Sequence, residues 1–132
     1  MMARFLKTPW PGIAWVILIF VLLALPGSSF PDAGFLNIPH LDKVVHFILF
    51  WILVYLWAFY FSGKQPPVSF FRRIILVIAI LSCAYGIAME FYQKYFVANR
   101  MFDGGDVIAD AAGAFGGFFY SSLRLPQKNK PL

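Results

Sequence analysis

Four long apolar stretches constrain the fold of this chain more than any other feature of its sequence. They cover residues 10–25, 44–61, 74–92 and 107–123. At a rise of about 1.5 Å per residue, each would form a helix of roughly 24 to 29 Å, close to the bilayer hydrocarbon thickness of about 30 Å. With 61% hydrophobic and 13% charged residues, a 132-residue chain is too apolar for a soluble fold. The sequence therefore predicts an all-α protein whose four stretches span a membrane.

The segments between the stretches predict how the helices are arranged. Prolines follow the first stretch and separate the second from the third, and two glycines precede the fourth. Because the connections are short, neighbouring helices should pack antiparallel. We expect a single domain over residues 1–132, built as a four-helix transmembrane bundle with a C-terminal tail at 124–132. The first stretch also has features of a cleaved signal peptide, namely a basic start and a short apolar run ending in small residues.

The basic residues predict the orientation of this bundle. With the N-terminus in the cytoplasm, eight of the eleven basic residues lie inside, and Lys43, Lys94 and Arg100 lie outside. All six acidic residues then fall on the outer side. We therefore expect a multi-pass protein of the inner (cytoplasmic) membrane with both termini in the cytoplasm, and a function at its outer face that uses the acids.

Charge and cysteine content narrow the classes of partner and site. The net charge of +5 does not indicate a nucleic-acid partner, because the basic residues flank the apolar stretches and form neither a run nor a stripe. Membrane lipids with anionic headgroups are the expected counter-charge. The single cysteine, Cys83, excludes an internal disulfide and a Cys-x-x-Cys metal site. No recognised metal-ligand spacing is present, so the sequence predicts no metal centre, and it identifies no cofactor.

Polar residues at the outer ends of the second and third helices are candidate site residues. Asp42 and His46 are four positions apart and share one helix face, with Lys43 beside them. Asp42 could instead cap the helix, where the dipole favours a carboxylate, and His46 could be a hydrogen-bonded interfacial histidine. Glu90 and Gln93 share a face of the third helix. Because that helix runs outward, its dipole disfavours an anion at Glu90, which makes Glu90 the strongest functional candidate.

The fourth helix carries acidic and small residues on one face. They lie at offsets of 0, 3, 7, 10 and 14: Asp103, Asp106, Asp110, Gly113 and Gly117. The two glycines form a small-xxx-small groove suited to close helix packing. Asp106 could be an N-cap, but Asp110 lies about 6 Å further into the membrane, where a carboxylate needs a partner or a proton. Arg100 and Lys43 are its nearest candidate partners.

These outer polar residues are expected to converge. Burial of any one of them alone would be costly, and mutual pairing lowers that cost. The predicted pocket, just below the outer interface, is formed by His46, Glu90, Arg100, Asp106 and Asp110.

The spaced set Asp42-Lys43-x-x-His46-Phe47, Glu90-x-x-Gln93, Arg100, Asp103, Asp106 and Gly113 resembles the VanZ-like family of small bacterial membrane proteins, over about residues 41–117. That family is named for a glycopeptide-resistance accessory protein that lowers susceptibility to teicoplanin, a lipid-tailed antibiotic. The resemblance implies a link to antibiotic resistance or to lipid metabolism of the cell envelope. The positions it matches are Asp42, Lys43, His46, Glu90, Gln93, Arg100, Asp103 and Asp106. Asp110 departs from the pattern, since the family often has Asn there, and adds one potential charge.

Three classes of function stay open at this point. The first is a membrane enzyme with hydrolytic or transfer chemistry on a lipid-linked or phosphate-bearing amphiphile. Its catalytic candidates are Glu90 and His46 as acid and base, with Asp106 and Asp110. Lys43 and Arg100 could hold phosphate, beside Asp42, Gln93 and Asp103 as binding residues, and the acids could alternatively hold a hard divalent ion.

The second class is a non-catalytic module that binds a lipid-tailed ligand or docks another envelope protein. The third is a small transporter or proton relay, which would need polar groups through the whole membrane depth. The inner halves of the helices offer little beyond Ser82 and Ser121, and Ser82 is expected to bond its own backbone. Transport is therefore the least favoured of the three.

Overall fold

The computed structural model describes residues 1–26 and 39–125, and within these ranges the chain is entirely helical, without strands. Its five helices are α1 (Met2–Leu6), α2 (Trp10–Ala24), α3 (Leu41–Ser62), α4 (Val68–Phe96) and α5 (Gly104–Arg124). Three features singled out in the sequence lie outside the described residues: the small residues at 27–29, Asp32, and the tail beyond residue 125.

Each apolar stretch forms a helix, and three of the four helices extend beyond the apolar residues that predict them. The largest difference is in α4, which has 29 residues and begins six residues before the predicted start. Apolarity defines the expected bounds, whereas helical hydrogen bonding continues through charged residues such as Arg72 and Lys94. The apolar pattern does not predict the short α1.

Two of the described helices, α3 and α4, are long and apolar enough to cross a membrane. The apolar α2 has only 15 residues, or about 22 Å of helix. The 21 residues of α5 include Asp106 and Asp110, which lower its apolar character. The all-helical fold is thus confirmed, while four spans and their orientation stay predictions.

The helices α3 and α5 share the most extensive packing, and two glycines of α5 bring their backbones together. A Cβ atom on Gly113 would collide with the carbonyl oxygen of Phe47, and one on Gly117 would lie 2.7 Å from the carbonyl oxygen of Trp51. Both glycines are buried. The small-residue groove predicted at Gly113 and Gly117 is therefore confirmed as a contact surface, and α3 is the helix that fills it.

Long polar side chains attach α2 to the backbones of its neighbours. The Trp15 indole N–H donates to the carbonyl oxygen of Leu49 on α3 (2.8 Å), and the Tyr85 hydroxyl of α4 donates to that of Val16 (2.9 Å). The side-chain amide of Gln93, also on α4, donates to the carbonyl oxygen of Leu23 (2.9 Å). Gln93 therefore attaches α4 to α2 through its side-chain amide.

Candidate functional site

A buried polar cluster lies at one end of the bundle, where the N-terminal parts of α3 and α5 meet the C-terminal part of α4. It consists of His46, Glu90, Asp106 and Asp110, none of which is more than 3% exposed. Burial of ionisable side chains to this degree is costly unless they pair with one another. Their contacts therefore decide what the cluster can do.

The innermost contact joins α3 to α5. His46 Nδ1 lies 2.8 Å from Asp110 Oδ1, and with an ionised Asp110 the imidazole must be the donor. The second oxygen, Asp110 Oδ2, is buried with no hydrogen-bond partner among the described residues. Gly86 of α4 makes room for this carboxylate, because a Cβ atom there would lie 2.6 Å from Asp110 Oδ2. The expectation that Arg100 or Lys43 pairs with Asp110 is wrong, since the partner is His46.

Asp106 lies between the imidazole and an ammonium group. Its Oδ2 is 3.7 Å from His46 Nε2, which is longer than a hydrogen bond, and its Oδ1 accepts from Lys43 Nζ at 3.3 Å. Lys43 Nζ also donates to Asp103 Oδ2 at 2.8 Å and to the half-exposed Asp42 at 3.3 Å. Lys43 thus connects the buried cluster to the surface, and it is already surrounded by carboxylates.

The cap of α5 is Asp103. Its Oδ1 accepts from the backbone N–H of Gly105 at 2.7 Å. This bond, together with the hydrogen bond from Lys43, holds the pKa of the Asp103 carboxyl below its usual range. The alternative reading of Asp106 as an N-cap is therefore wrong. Asp42 is not a cap either, because His40 occupies the N-cap position of α3 and Asp42 lies in its first turn.

Glu90 binds to the cap of α5 through one oxygen only. Its Oε2 accepts from the backbone N–H of Asp103 at 3.0 Å, whereas its Oε1 is buried without a hydrogen-bond partner in the described part of the chain. The sequence carries no signal for this backbone donor, since it depends on how the turn before α5 folds. His46, Glu90 and Asp106 each offer one atom that could coordinate a metal ion, and these three atoms lie within 4.8 Å of one another.

Arg100 is the candidate that the structure does not join to the cluster. It lies between α4 and α5, its Nε is buried without a hydrogen-bond partner, and it forms no ion pair among residues 1–26 and 39–125. Four of the five residues expected to form one pocket therefore come together, through direct contacts or close approach, and Arg100 forms no hydrogen bond or ion pair with them.

Comparisons with known proteins cover most of the chain. A family profile described as VanZ/LLP1 matches residues 6–124. An uncharacterized protein of Schizosaccharomyces pombe is 33% identical over 100 residues, which cover 74% of this chain and 57% of the relative. The chain thus spans little more than half the length of that relative. No solved structure matches it.

Proposed function

The chain belongs to the VanZ-like family, and on that premise we propose that it is a multi-pass protein of the inner (cytoplasmic) membrane with four spans and both termini in the cytoplasm. Two helices of sufficient length and apolarity support this topology, as does the packing of α2 and α5 alongside them. The eight-to-three distribution of basic residues supports the orientation.

Cysteine labelling tests the orientation directly. After Cys83 is replaced, Asn99→Cys should react with an impermeant thiol reagent added to intact cells, and Gln65→Cys should not. The two sites are well matched, because each lies between helices with a positive φ, 58° for Asn99 and 52° for Gln65. Both should react after the membrane is permeabilised. Labelling of Gln65→Cys alone in intact cells would reverse the orientation.

The buried cluster is the proposed reaction centre. It would carry out hydrolytic or transfer chemistry on a lipid-linked or phosphate-bearing amphiphile at the outer face, in the metabolism of envelope lipids or in resistance to a lipid-tailed glycopeptide. The observation that carries this proposal is the buried Glu90 Oε1, which has no hydrogen-bond partner among the residues that the structure describes and lies beside an imidazole and two further carboxyl groups. Buried polar atoms that lack partners are rare in native structures, and functional sites are one of the few places that retain them.

Each member of the cluster has a distinct proposed role. Glu90 is the first candidate for proton transfer, because its Oε1 has no hydrogen-bond partner in the described part of the chain. His46 is the second, with its ring oriented by Asp110 in the way a third group orients a catalytic base. Lys43 would hold Asp106 in place, because its ammonium group already donates to Asp42, Asp103 and Asp106.

The test is an analysis of lipids and cell-wall precursors in cells that express the wild type or Glu90→Gln. We expect a wild-type-dependent change in the profile that Glu90→Gln abolishes at equal expression. Lys94→Gln is the matched control, because Lys94 is exposed one turn further along α4 and lies outside the cluster. Equal profiles for wild type and Glu90→Gln would contradict a reaction centre at Glu90.

A non-catalytic module for lipid-tailed ligands is the second candidate, and one observation favours it. A groove of about 370 Å³ between α2, α3 and α4 is lined almost entirely by apolar side chains, among them Val16, Leu53, Trp57 and Leu81. An acyl chain would fit its chemistry. Retention of both ligand binding and the cellular effect in Glu90→Gln would favour this reading. Transport gains no support, since the Ser82 hydroxyl donates to its own backbone at Ile78 (2.8 Å).

A further inference from the structure

We propose that His46, Glu90 and Asp106 form a binding site for one divalent transition-metal ion, with Zn²⁺ and Mn²⁺ as the ions that suit it. The three residues come from α3, α4 and α5, and each contributes one ligand-type atom within 4.8 Å of the others. The inference deepens the proposed function and rests on it only for what the ion would do there.

Each of the three side chains has one polar atom bound within the protein and a second atom left over. His46 uses Nδ1 for Asp110, Asp106 uses Oδ1 for Lys43, and Glu90 uses Oε2 for a backbone N–H. The atoms left over are Nε2, Oδ2 and Oε1. Side chains that bind metals show the same pattern: one atom coordinates the ion, and the other is held by a hydrogen bond to a neighbouring group.

The distance between His46 and Asp106 is close to that between two ligands of one metal ion. Metal–ligand bonds of about 2.0 to 2.1 Å in a tetrahedral site place neighbouring ligand atoms about 3.4 Å apart. His46 Nε2 and Asp106 Oδ2 lie 3.7 Å apart, so this pair needs only a small contraction, and a ligand atom of Glu90 lies within 4.8 Å of one on each of the other two residues. Three protein ligands would leave a fourth position for water or substrate, as in catalytic zinc sites.

Asp110 supports the site as a positioning residue. By accepting from Nδ1–H it sets the tautomer in which the Nε2 lone pair is available to a metal ion, an arrangement common among metal-bound histidines. It also fixes the plane of the ring, and Gly86 provides the space that lets it do so. The carboxylate that departs from the family pattern therefore has a specific role toward His46.

Burial and charge separate this site from an ordinary acidic cluster. The other carboxylate group nearby, formed by Asp42, Asp103 and Asp106, already has Lys43 Nζ at its centre, within 2.8 to 3.3 Å of all three side chains. Among residues 1–26 and 39–125, no cation lies within hydrogen-bond distance of Glu90, and Glu90 Oε1 is buried without a hydrogen-bond partner. A divalent ion would compensate the buried carboxylates. One imidazole with two carboxylates favours a transition metal over Ca²⁺ or Mg²⁺, which prefer oxygen ligands alone.

Metal binding and proton transfer predict different roles for His46 and Glu90. An ion held by His46 Nε2 and Glu90 Oε1 takes both atoms out of acid–base chemistry, so both residues would act as ligands. The binding site can therefore be measured without any assay of the reaction.

The experiment uses the full chain purified in detergent, stripped with a chelator, and titrated separately with Zn²⁺, Mn²⁺ and Mg²⁺. Elemental analysis after desalting should find one Zn²⁺ or Mn²⁺ per wild-type chain, and Mg²⁺ should bind much more weakly. Glu90→Gln and Asp106→Asn should each lose stoichiometric binding. Asp110→Asn should keep the site but weaken it about 10- to 100-fold, as expected for an outer-shell partner.

Asp42→Asn is the control, because it belongs to the group filled by Lys43 and should bind the ion as wild type does. Circular dichroism in the presence of chelator checks the fold of each variant. Because Glu90→Gln and Asp106→Asn lie on different helices, the test still stands if one of them misfolds. Absence of bound metal in wild type, or loss in Asp42→Asn with retention in Glu90→Gln, overturns the site. Metal binding in wild type, with a lipid profile unaffected by Glu90→Gln, would keep the site and reject the reaction. No metal binding in wild type, with a lipid profile that Glu90→Gln changes, would reject the site and keep the reaction.

Discussion

The interface between α3 and α5 has two halves that differ in chemistry. In the polar half, His46 of α3 meets Asp106 and Asp110 of α5. In the glycine half, Gly113 and Gly117 of α5 lie against the backbone of α3. The two halves are adjacent in both helices, since Phe47, which contacts Gly113, directly follows His46.

The two halves of the interface have different roles, one in helix packing and one in function. The glycine half leaves no space for a Cβ atom, so it fixes the separation of the two helices. That separation brings the imidazole of His46 within 2.8 Å of the Asp110 carboxylate. The polar half, by contrast, buries ionisable side chains, and Asp110 Oδ2 has no hydrogen-bond partner among the described residues. We infer that the glycine half carries stability and the polar half carries function.

The largest loss of stability is expected from Gly113→Leu. Its side chain would need the space occupied by the Phe47 carbonyl group, which cannot move without displacing α3. We expect a loss of at least about 3 kcal/mol, the upper part of the range for overpacked cores. Thermal unfolding in detergent measures it, with Ala112→Leu as the control because Ala112 is exposed on the same helix. Similar losses for the two variants would mean that α5 does not present its glycine face to α3.

A smaller loss is expected from His46→Ala in the polar half. The substitution leaves both oxygens of Asp110 buried without a partner, which costs about 2 kcal/mol. Thermal unfolding with a chelator present isolates this contribution from any bound ion. His46→Gln should recover part of the loss, because its amide can donate to Asp110. An unchanged unfolding temperature in His46→Ala would show that the pair is not formed.

The smallest effect is expected from Asp42→Asn, on the surface side of the polar half. Its side chain is 50% exposed and its ion pair with Lys43 is 3.3 Å long. Exposed pairs of this kind contribute about 0.5 kcal/mol or less, and salt screens them. Chemical unfolding at low and high salt checks the prediction. A loss as large as that of His46→Ala would place Asp42 in the buried network.

Helix phase explains why much of this interface could be predicted from sequence. The spacing of Asp106, Asp110, Gly113 and Gly117 places them on one face of a helix wherever that helix packs, and all four are buried in the structure. The apolar stretches likewise identify four of the five described helices. Both inferences need only the local geometry of an α-helix.

Partners across helices could not be predicted in this way. Asp110 pairs with His46 because of how α3 and α5 are offset along their axes, and no spacing within either helix encodes that offset. The cap at Asp103 and its bond to Glu90 depend on the turn that precedes α5. The proposed metal site, with one ligand from each of three helices, would have no characteristic sequence spacing either.

The most direct test of the division between the two halves compares Gly117→Ala with Glu90→Gln in one assay of the lipid and cell-wall precursor profile, normalised to the amount of folded protein. A Cβ atom at Gly117 would lie 2.7 Å from the Trp51 carbonyl oxygen, so Gly117→Ala should reduce the folded amount but keep activity per folded molecule within about twofold of wild type. Glu90→Gln should keep the folded amount, because a side-chain amide oxygen can still accept from the backbone N–H of Asp103, and should abolish the activity. Activity per folded molecule that survives in Glu90→Gln but falls in Gly117→Ala would contradict the account.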